Sequence, residues 1–281
     1  MNHPNYDKLP YVEVPNRAAT CHTDWDRVAS ALQQALSKLP GGLESKRILT
    51  IECYPGVDEN EINDALAALQ PTRTIRSTEA YLTPTEIDAK VLPHNGGDDP
   101  VFGVINHLRI DDFLDAKKTA SLQQEIDNTD AGLIVIIGTG ASRIHPGDVF
   151  VYADLARWEA QLRMRRDETS NLGVENHKLK WSLQYKRAYF TDWRVADRLK
   201  RKVFRKADFV LDTNTPGEPR MADGQTVRDA LTHTATRPFR VVPFFDPAPW
   251  GGQWMKEHCD LDRGADNYGW CFDCVPEENS L

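Results

Sequence analysis

The residues with the clearest pattern for ligand chemistry form a glycine-rich turn. Gly138, Thr139, Gly140 and Ser142 follow the apolar run at 132–137, which predicts a buried strand. Ligands of open α/β sheets bind outside the carboxyl ends of the strands, where the backbone amides of such a turn can reach a phosphate. These four residues are therefore candidates for phosphate binding. The alternative is an ordinary turn, because every buried strand must end in one.

A second candidate is a cluster of three arginines, Arg163, Arg165 and Arg166, at the end of a predicted helix over 154–166. Residues 157–206 hold 15 Lys and Arg against 6 Asp and Glu, a strongly basic stretch in a chain whose net charge is −8. Guanidinium groups fit phosphate oxygens well. The cluster therefore predicts a contact with a phosphate or an acidic partner. The alternative is a solvated helix end whose cations complement the helix dipole.

The turn after the first predicted strand, at 47–53, lacks the residues of a phosphate loop. Such a loop requires G-x-x-x-x-G-K-[ST], in which the lysine and the hydroxyl group handle the phosphate charge and Mg²⁺. This turn has one glycine, Gly56, and no lysine. It also carries four acids, Glu52, Asp58, Glu59 and Glu61. We therefore expect neither ATP nor Mg²⁺ to bind there.

Patterns of catalytic and metal-binding residues are missing from the sequence. Its eight histidines show no H-x-H or H-E-x-x-H spacing, and no G-x-S-x-G motif is present. Cys271 and Cys274 form a C-x-x-C, which is half of a zinc site or a redox pair in one interpretation. A zinc site needs a second ligand pair at matching spacing. We predict structural thiols instead, with no catalytic residue and no metal site.

The composition narrows the classes of partner. A net charge of −8 argues against a general nucleic-acid binder. The sequence has no apolar run of the roughly 18 residues that a membrane helix needs, and its N-terminus lacks the layout of a signal peptide. We expect a cytoplasmic protein without nucleic-acid or membrane partners. A phosphosugar or a nucleotide is the expected ligand class, and the oligomeric state is left open.

The elements that would position these residues alternate between strands and helices. This alternation predicts a doubly wound parallel sheet. Near Pro238 the alternation of strand and helix patterns gives way to tryptophan- and glycine-rich sequence without helical periodicity. This change predicts a domain boundary. The predicted regions are an N-terminal helical extension at 1–45, an α/β domain at 46–237 and a third region at 238–281.

The α/β region resembles the uridine kinase and phosphoribulokinase group of P-loop proteins. The resemblance rests on RILTIECYPG, LIVIIGTGAS, VFVYADLARWEAQLRMRRDE and KADFVLDTN. It implies a P-loop NTPase-like fold in which Arg163, Arg165, Arg166 and Asp167 occupy the place of an arginine-rich lid. The lysine and the hydroxyl group of the phosphate loop are missing around Gly56, so the resemblance concerns the fold more than kinase chemistry.

The tail resembles the opening of a type I phosphomannose isomerase. The matching residues include Trp250, Gly251, Gly252 and Trp270. The resemblance implies the first strands of an incomplete cupin barrel at 238–281. It also implies a parent family that interconverts mannose 6-phosphate and fructose 6-phosphate with zinc. That family holds its zinc through a Gln-x-His pair, which this sequence lacks, so no zinc site is expected here.

Three functional hypotheses follow. The first is the N-terminal part of a mannose-6-phosphate isomerase-like protein, inactive alone and truncated at Leu281. The second is a uridine kinase-like, ATP-dependent phosphotransferase. The third is a noncatalytic module that binds a phosphosugar or a nucleotide. The sequence leaves open whether the chain is an enzyme, which ligand the α/β domain takes and whether the end at Leu281 is natural.

Overall fold

The computed structural model describes residues 11–41, 45–97, 99, 102–236, 241–245, 257–258, 260 and 270–274. The chain divides into two compact units. The first contains Val14–Arg228, and the second contains the residues from Asp229 to Asn279 together with the N-terminus. No helix among the described residues has the length and apolarity needed to cross a membrane.

The first unit is built on a seven-stranded sheet, which confirms the predicted α/β class. Its strands are β1 (Cys21–His22), β2 (Arg47–Cys53), β3 (Arg73–Arg76), β4 (Leu133–Gly138), β5 (Val149–Asp154), β6 (Phe209–Asp212) and β7 (Arg220–Asp223). The order across the sheet is β1-β7-β6-β5-β2-β4-β3. The five strands from β2 to β6 pair in parallel, with β2 between β4 and β5.

One edge of the sheet departs from the predicted all-parallel pattern. Strand β7 pairs antiparallel with β6, and β1 pairs antiparallel with β7. Only residues 213–219 connect β6 to β7. A parallel crossover needs a dozen or more residues, so this short connection allows only the antiparallel arrangement.

Nine helices are described. They are α1 (Trp25–Ser37), α2 (Glu59–Leu66), α3 (Pro84–Val91), α4 (Ala116–Asp127), α5 (Ala141–Ile144), α6 (Arg157–Arg165), α7 (Trp181–Arg187), α8 (Trp193–Val203) and α9 (Gly224–Ala235). A π-helical turn, Ala188–Asp192, joins α7 to α8. Asp24 and Asp58 cap α1 and α2, because their carboxylates accept hydrogen bonds from amides of the first turn. The predicted helix over 154–166 begins later, at Arg157, since β5 continues to Asp154.

Both faces of the central strands are covered. Leu49 and Ile51 of β2 pack with residues of α1 and α2 on one face. On the other face, Ile48 of β2 packs with Leu122 and Ile126 of α4. All seven residues of β2 are buried, as expected of a parallel strand between two helical layers. The sheet therefore directs functional groups to its edge, where the carboxyl ends of the parallel strands meet.

The second unit contains a two-stranded antiparallel sheet of β8 (Val241–Phe245) and β9 (Trp270–Cys274). Trp270, one of the residues of the isomerase resemblance, begins β9. Trp250, Gly251 and Gly252 lie outside the described residues. The incomplete cupin barrel therefore stays a prediction, as does the domain boundary near residue 238.

Candidate functional site

A large cavity lies at the carboxyl ends of β2, β3 and β4. Its volume is about 920 Å³, within the range of small-molecule binding sites. One wall contains the turn at 55–57, residues from Ser77 to Leu82, and Thr139. Residues 169–176 and part of α7 also line it. The cavity therefore occupies the place where open α/β sheets bind their ligands.

The glycine-rich turn after β4 has its donors bound to the protein itself. Glu52, at the end of β2, accepts hydrogen bonds from the Gly140 amide at 2.5 Å and the Ser142 amide at 2.9 Å. The Ser142 hydroxyl donates to the same carboxylate at 2.6 Å, and the Thr139 hydroxyl donates to the Cys53 carbonyl at 2.8 Å. Phosphate binding at this turn stays a prediction, and a phosphate there would have to displace Glu52 from these donors.

Glu52 is a fully buried carboxyl group. Burial raises its pKa to about 7, although the hydrogen bonds from Ser142 and Gly140 and the charge of Arg143 act in the opposite direction. Its oxygens accept hydrogen bonds from the amides that would be expected to bind a phosphate in this turn.

The turn after β2 is also occupied by a carboxylate. Asp58 Oδ1 accepts hydrogen bonds from the amides of Asn60 and Glu61 at 2.9 and 3.2 Å. These amides begin α2, where the helix dipole would otherwise attract an anionic ligand. Gly56 has a φ of +100°, which only glycine adopts readily. The geometry of the turn thus requires glycine, but its amide donors face an acid of the protein.

The three candidate arginines are engaged by groups of the protein itself, and Arg163 and Arg166 share one of them, because both donate to Glu159 Oε1, at 3.2 and 2.8 Å. Arg163 is buried and donates to the carbonyls of Gly56 at 3.0 Å and Thr213 at 2.6 Å. The Arg165 guanidinium lies 4.5 Å from the Trp181 ring centroid, and Arg166 pairs with Glu159 and Glu168 at 2.8 Å each. None of the three lines the cavity. They do not form one phosphate site, and their binding role stays a prediction.

Replacing Arg163 with alanine should destabilise the first unit by about 2 kcal/mol, because two carbonyls lose a charged donor. The exposed Arg165 and Arg166 provide matched controls, and alanine at either should change the free energy of unfolding by less than about 1 kcal/mol. Urea unfolding of the three variants measures these changes in the free energy of unfolding. Equal losses of stability in all three would show that Arg163 has no special structural role.

The part of the cavity lining at 169–176 is positioned by a buried polar network that the sequence did not reveal. Asp192 accepts hydrogen bonds from Asn171 Nδ2 at 2.6 Å and from the Leu172 amide at 3.3 Å. Arg187 donates to Asp88 at 2.7 Å and to the Leu172 carbonyl at 2.9 Å, and it lies 3.6 Å from Asp192. Arg187 and Asp192 are five residues apart, a spacing that brings side chains together in a π-helical turn but not in an α-helix.

A further cavity residue is Glu59, at the start of α2. The sequence marked it only as one of four acids near the turn. Burial raises its pKa to about 7; Arg76, 3.6 Å away, lowers it, and the neighbouring charges of Glu52 and Asp58 raise it. A carboxyl group with such a pKa in a cavity is typical of functional sites.

The charges of the cavity do not favour an anion. Its lining includes the carboxylates of Glu59, Asp88 and Glu175 and the cations of Lys186 and Arg187. Lys186 donates to the Asp99 carbonyl, and Arg187 pairs with Asp88. The remaining polar lining is neutral and includes Ser77, Thr78, Thr139, Thr169, Ser170 and Asn171. This combination suits a ligand rich in hydroxyl or amide groups.

Among the described residues, no group of three or more His, Cys, Asp or Glu side chains could hold a metal ion.

Comparison with known proteins gives a family without an assigned activity. No curated protein matches the chain. Among solved structures, a protein described as a fructose transport system kinase from Silicibacter sp. TM1040 has a TM-score of 0.42 and 12% identity, covering 64% of this chain and 95% of that chain. Shikimate kinase from Bacteroides thetaiotaomicron has a TM-score of 0.35 and 10% identity, and the match covers 67% of this chain and 96% of that chain. A domain of unknown function, DUF8485, matches residues 24–236. Because this match spans about three quarters of the sequence, the chain belongs to the DUF8485 family.

Proposed function

We propose that this protein binds a neutral, hydroxyl-bearing small molecule of sugar or nucleoside size in the cavity at the strand ends. The observation that carries the proposal is the cavity of about 920 Å³ with its hydroxyl and amide lining. Apolar residues such as Tyr81, Leu172 and Leu179 also line it, and these can contact a sugar ring or a base. The proposal modifies the binding-module hypothesis, because the ligand is neutral rather than phosphorylated.

A uridine kinase-like phosphotransferase is the second candidate. Its support is the arrangement of five parallel strands with the Gly56 turn at the carboxyl end of the central strand β2, which fits a P-loop-like fold. Phosphoryl transfer from ATP requires donors that hold the triphosphate. At this edge of the sheet, the backbone amides that could hold a triphosphate already donate hydrogen bonds to Asp58 and Glu52. For this reason we place the kinase hypothesis second to the binding-module hypothesis.

The mannose-6-phosphate isomerase hypothesis depends on the tail at 238–281. Its supporting residues Trp250, Gly251 and Gly252 lie outside the described part of the chain. The DUF8485 match ends at residue 236, and its description names no activity. The hypothesis therefore rests on the sequence resemblance alone, with zinc belonging to the parent family.

Isothermal titration calorimetry tests the proposed function. The probes are uridine, adenosine, mannose and fructose, each compared with its monophosphate, and Mg·ATP. We expect at least one neutral probe to bind with a Kd below about 1 mM, at least tenfold more tightly than its phosphate, and Mg·ATP to show no heat of binding. Tighter binding of the phosphates, or micromolar binding of Mg·ATP, would favour the other hypotheses.

Two tryptophan variants test whether the cavity is the binding site. Leu183 lines the cavity and is 42% exposed, so Leu183→Trp should obstruct ligand entry without disturbing the core. Leu231, on α9, is 40% exposed and does not line the cavity. Leu231→Trp should therefore bind the ligand as the wild type does. Equal affinity in the two variants would place the ligand elsewhere.

A further inference from the structure

Two tryptophans and an arginine form an exposed stack between α6 and α7. Trp158 and Arg165 are seven residues apart in α6, so they lie on the same side of that helix. The Arg165 guanidinium carbon lies 5.9 Å from the centroid of the Trp158 ring and 4.5 Å from that of Trp181, the first residue of α7. Trp158 is 61% exposed and Trp181 is 40% exposed. Both indoles therefore present apolar surface to solvent, although aromatic side chains gain much from burial.

Cations and an aliphatic side chain extend this surface. Leu179 is 42% exposed and lies between Lys178 and Lys180 in the segment that leads into α7, and both lysines are exposed. We define the aromatic-basic patch by six residues: Trp158, Arg165, Lys178, Leu179, Lys180 and Trp181. Leu179 also lines the cavity, so the patch borders it. Exposed apolar surface that is flanked by polar groups is typical of interaction sites.

The cations of the patch have no acidic partners within the described part of the chain. No carboxylate there forms an ion pair with Arg165, Lys178 or Lys180, whereas the neighbouring Arg166 pairs with both Glu159 and Glu168. Three cations that the protein does not neutralise thus accompany the exposed apolar groups. Their charge complements an anionic partner.

The chemistry of the patch favours a peptide over other anionic partners. The Arg165 guanidinium lies over both indole rings, so it covers ring faces on which a nucleobase would stack. The net charge of −8 opposes a strand with a phosphate at every nucleotide more than a peptide with a few carboxylates. A second copy of this chain, bound symmetrically through the patch, would bring the same cations together. Tryptophan and arginine are enriched among the residues that dominate the binding energy of protein interfaces.

We propose that the aromatic-basic patch binds an acidic peptide segment of another protein. Apolar side chains of the segment pack against the two indoles and Leu179, and its carboxylates pair with Arg165 and the two lysines. One interface thereby buries the exposed rings and neutralises the cations. The interaction goes beyond the proposed function and does not rest on it, because it requires no ligand in the cavity.

Selection of random short peptides displayed on phage, with the purified full chain as the target, tests the proposal. We expect the enriched peptides to combine Asp or Glu with Leu, Phe or Trp, and fluorescein-labelled copies of them to bind less tightly as salt is added. Trp181→Ala and Arg165→Glu should each weaken binding at least about tenfold in fluorescence anisotropy. Lys202→Glu is the matched control for charge, because Lys202 is exposed on α8 and lies outside the patch. Its affinity should stay within about twofold of the wild type.

Several results would overturn the proposal. One is a selection that enriches no acidic peptide, and another is an enriched peptide that binds Trp181→Ala and Arg165→Glu as tightly as the wild type. Sedimentation that shows a dimer dissociated by Trp181→Ala would assign the patch to a second copy of the chain. Oligouridine or phosphatidylserine vesicles bound through the same residues would assign it to a nucleic acid or a membrane surface. Both altered side chains are exposed, so the variants should keep the far-UV circular dichroism spectrum of the wild type.

Discussion

Replacing Glu52 with alanine should lower the free energy of unfolding by about 4 kcal/mol. The Glu52 carboxylate accepts three hydrogen bonds, from the amides of Gly140 and Ser142 and from the Ser142 hydroxyl. Its removal leaves two buried amides unpaired and a cavity beside β2. Each unsatisfied buried donor costs about 1–3 kcal/mol, and the lost volume adds to this cost.

Urea unfolding followed by far-UV circular dichroism measures the effect. Glu52→Gln retains the side-chain volume and one acceptor but directs an NH₂ group towards a backbone donor, so we expect an intermediate loss. Glu218→Ala is the control, because Glu218 is exposed and alanine there should change the stability by less than about 0.5 kcal/mol. A loss of less than about 1 kcal/mol in Glu52→Ala would show that the turn after β4 does not depend on this carboxylate.

Local patterns predicted the sheet. The continuous apolar runs of β2 and β4 are buried on both faces, as their composition indicated. The helix that follows β2 begins where Asp58 can cap it. These features depend on neighbours a few residues away, so the sequence contains the information directly.

The contacts that define the site could not be predicted in the same way. Glu52 reaches the Gly140 amide across 88 positions of the chain, and Arg163 reaches the Gly56 carbonyl across 107. The sequence indicated a glycine-rich turn and an arginine cluster, but it contained no sign that a carboxylate would occupy the first. Such pairings depend on the strand order, which local spacing does not determine. The cavity wall at 169–176 depends on Asp192 in the π-helical turn and has no periodic signal at all.

The free energy of unfolding should fall as the pH rises from about 5 to about 7. Burial raises the pKa of both Glu52 and Glu59 from 4.5 to about 7 in the folded protein. Between these values the folded state holds more protons than the unfolded state, so the stability decreases with increasing pH. Each pKa unit corresponds to about 1.4 kcal/mol, so each of the two groups should contribute about 2.5 kcal/mol, and we expect a total decrease of about 5 kcal/mol between pH 5 and pH 8.

Charged neighbours also act on these two groups. Arg143 lowers the pKa of Glu52, Arg76 lowers the pKa of Glu59, and the charges of Glu52 and Asp58 raise the pKa of Glu59. Asp192 also has a raised pKa because of burial and adds to the decrease. Burial lowers the pKa of His145, which acts in the opposite direction, since protonating a neutral histidine costs stability as the pH falls.

Urea unfolding at pH 5, 6, 7 and 8 separates these contributions. Glu52→Gln and Glu59→Gln each remove one titrating group and should flatten the profile, and the double variant should flatten it further. A wild-type stability that rises over this range, or variants that keep its slope, would show that both carboxyl groups are ionised throughout. In that case Glu59 would present a full negative charge to the cavity at every pH, and the cavity would favour a ligand that carries a hydrogen-bond donor or a positive charge at that end.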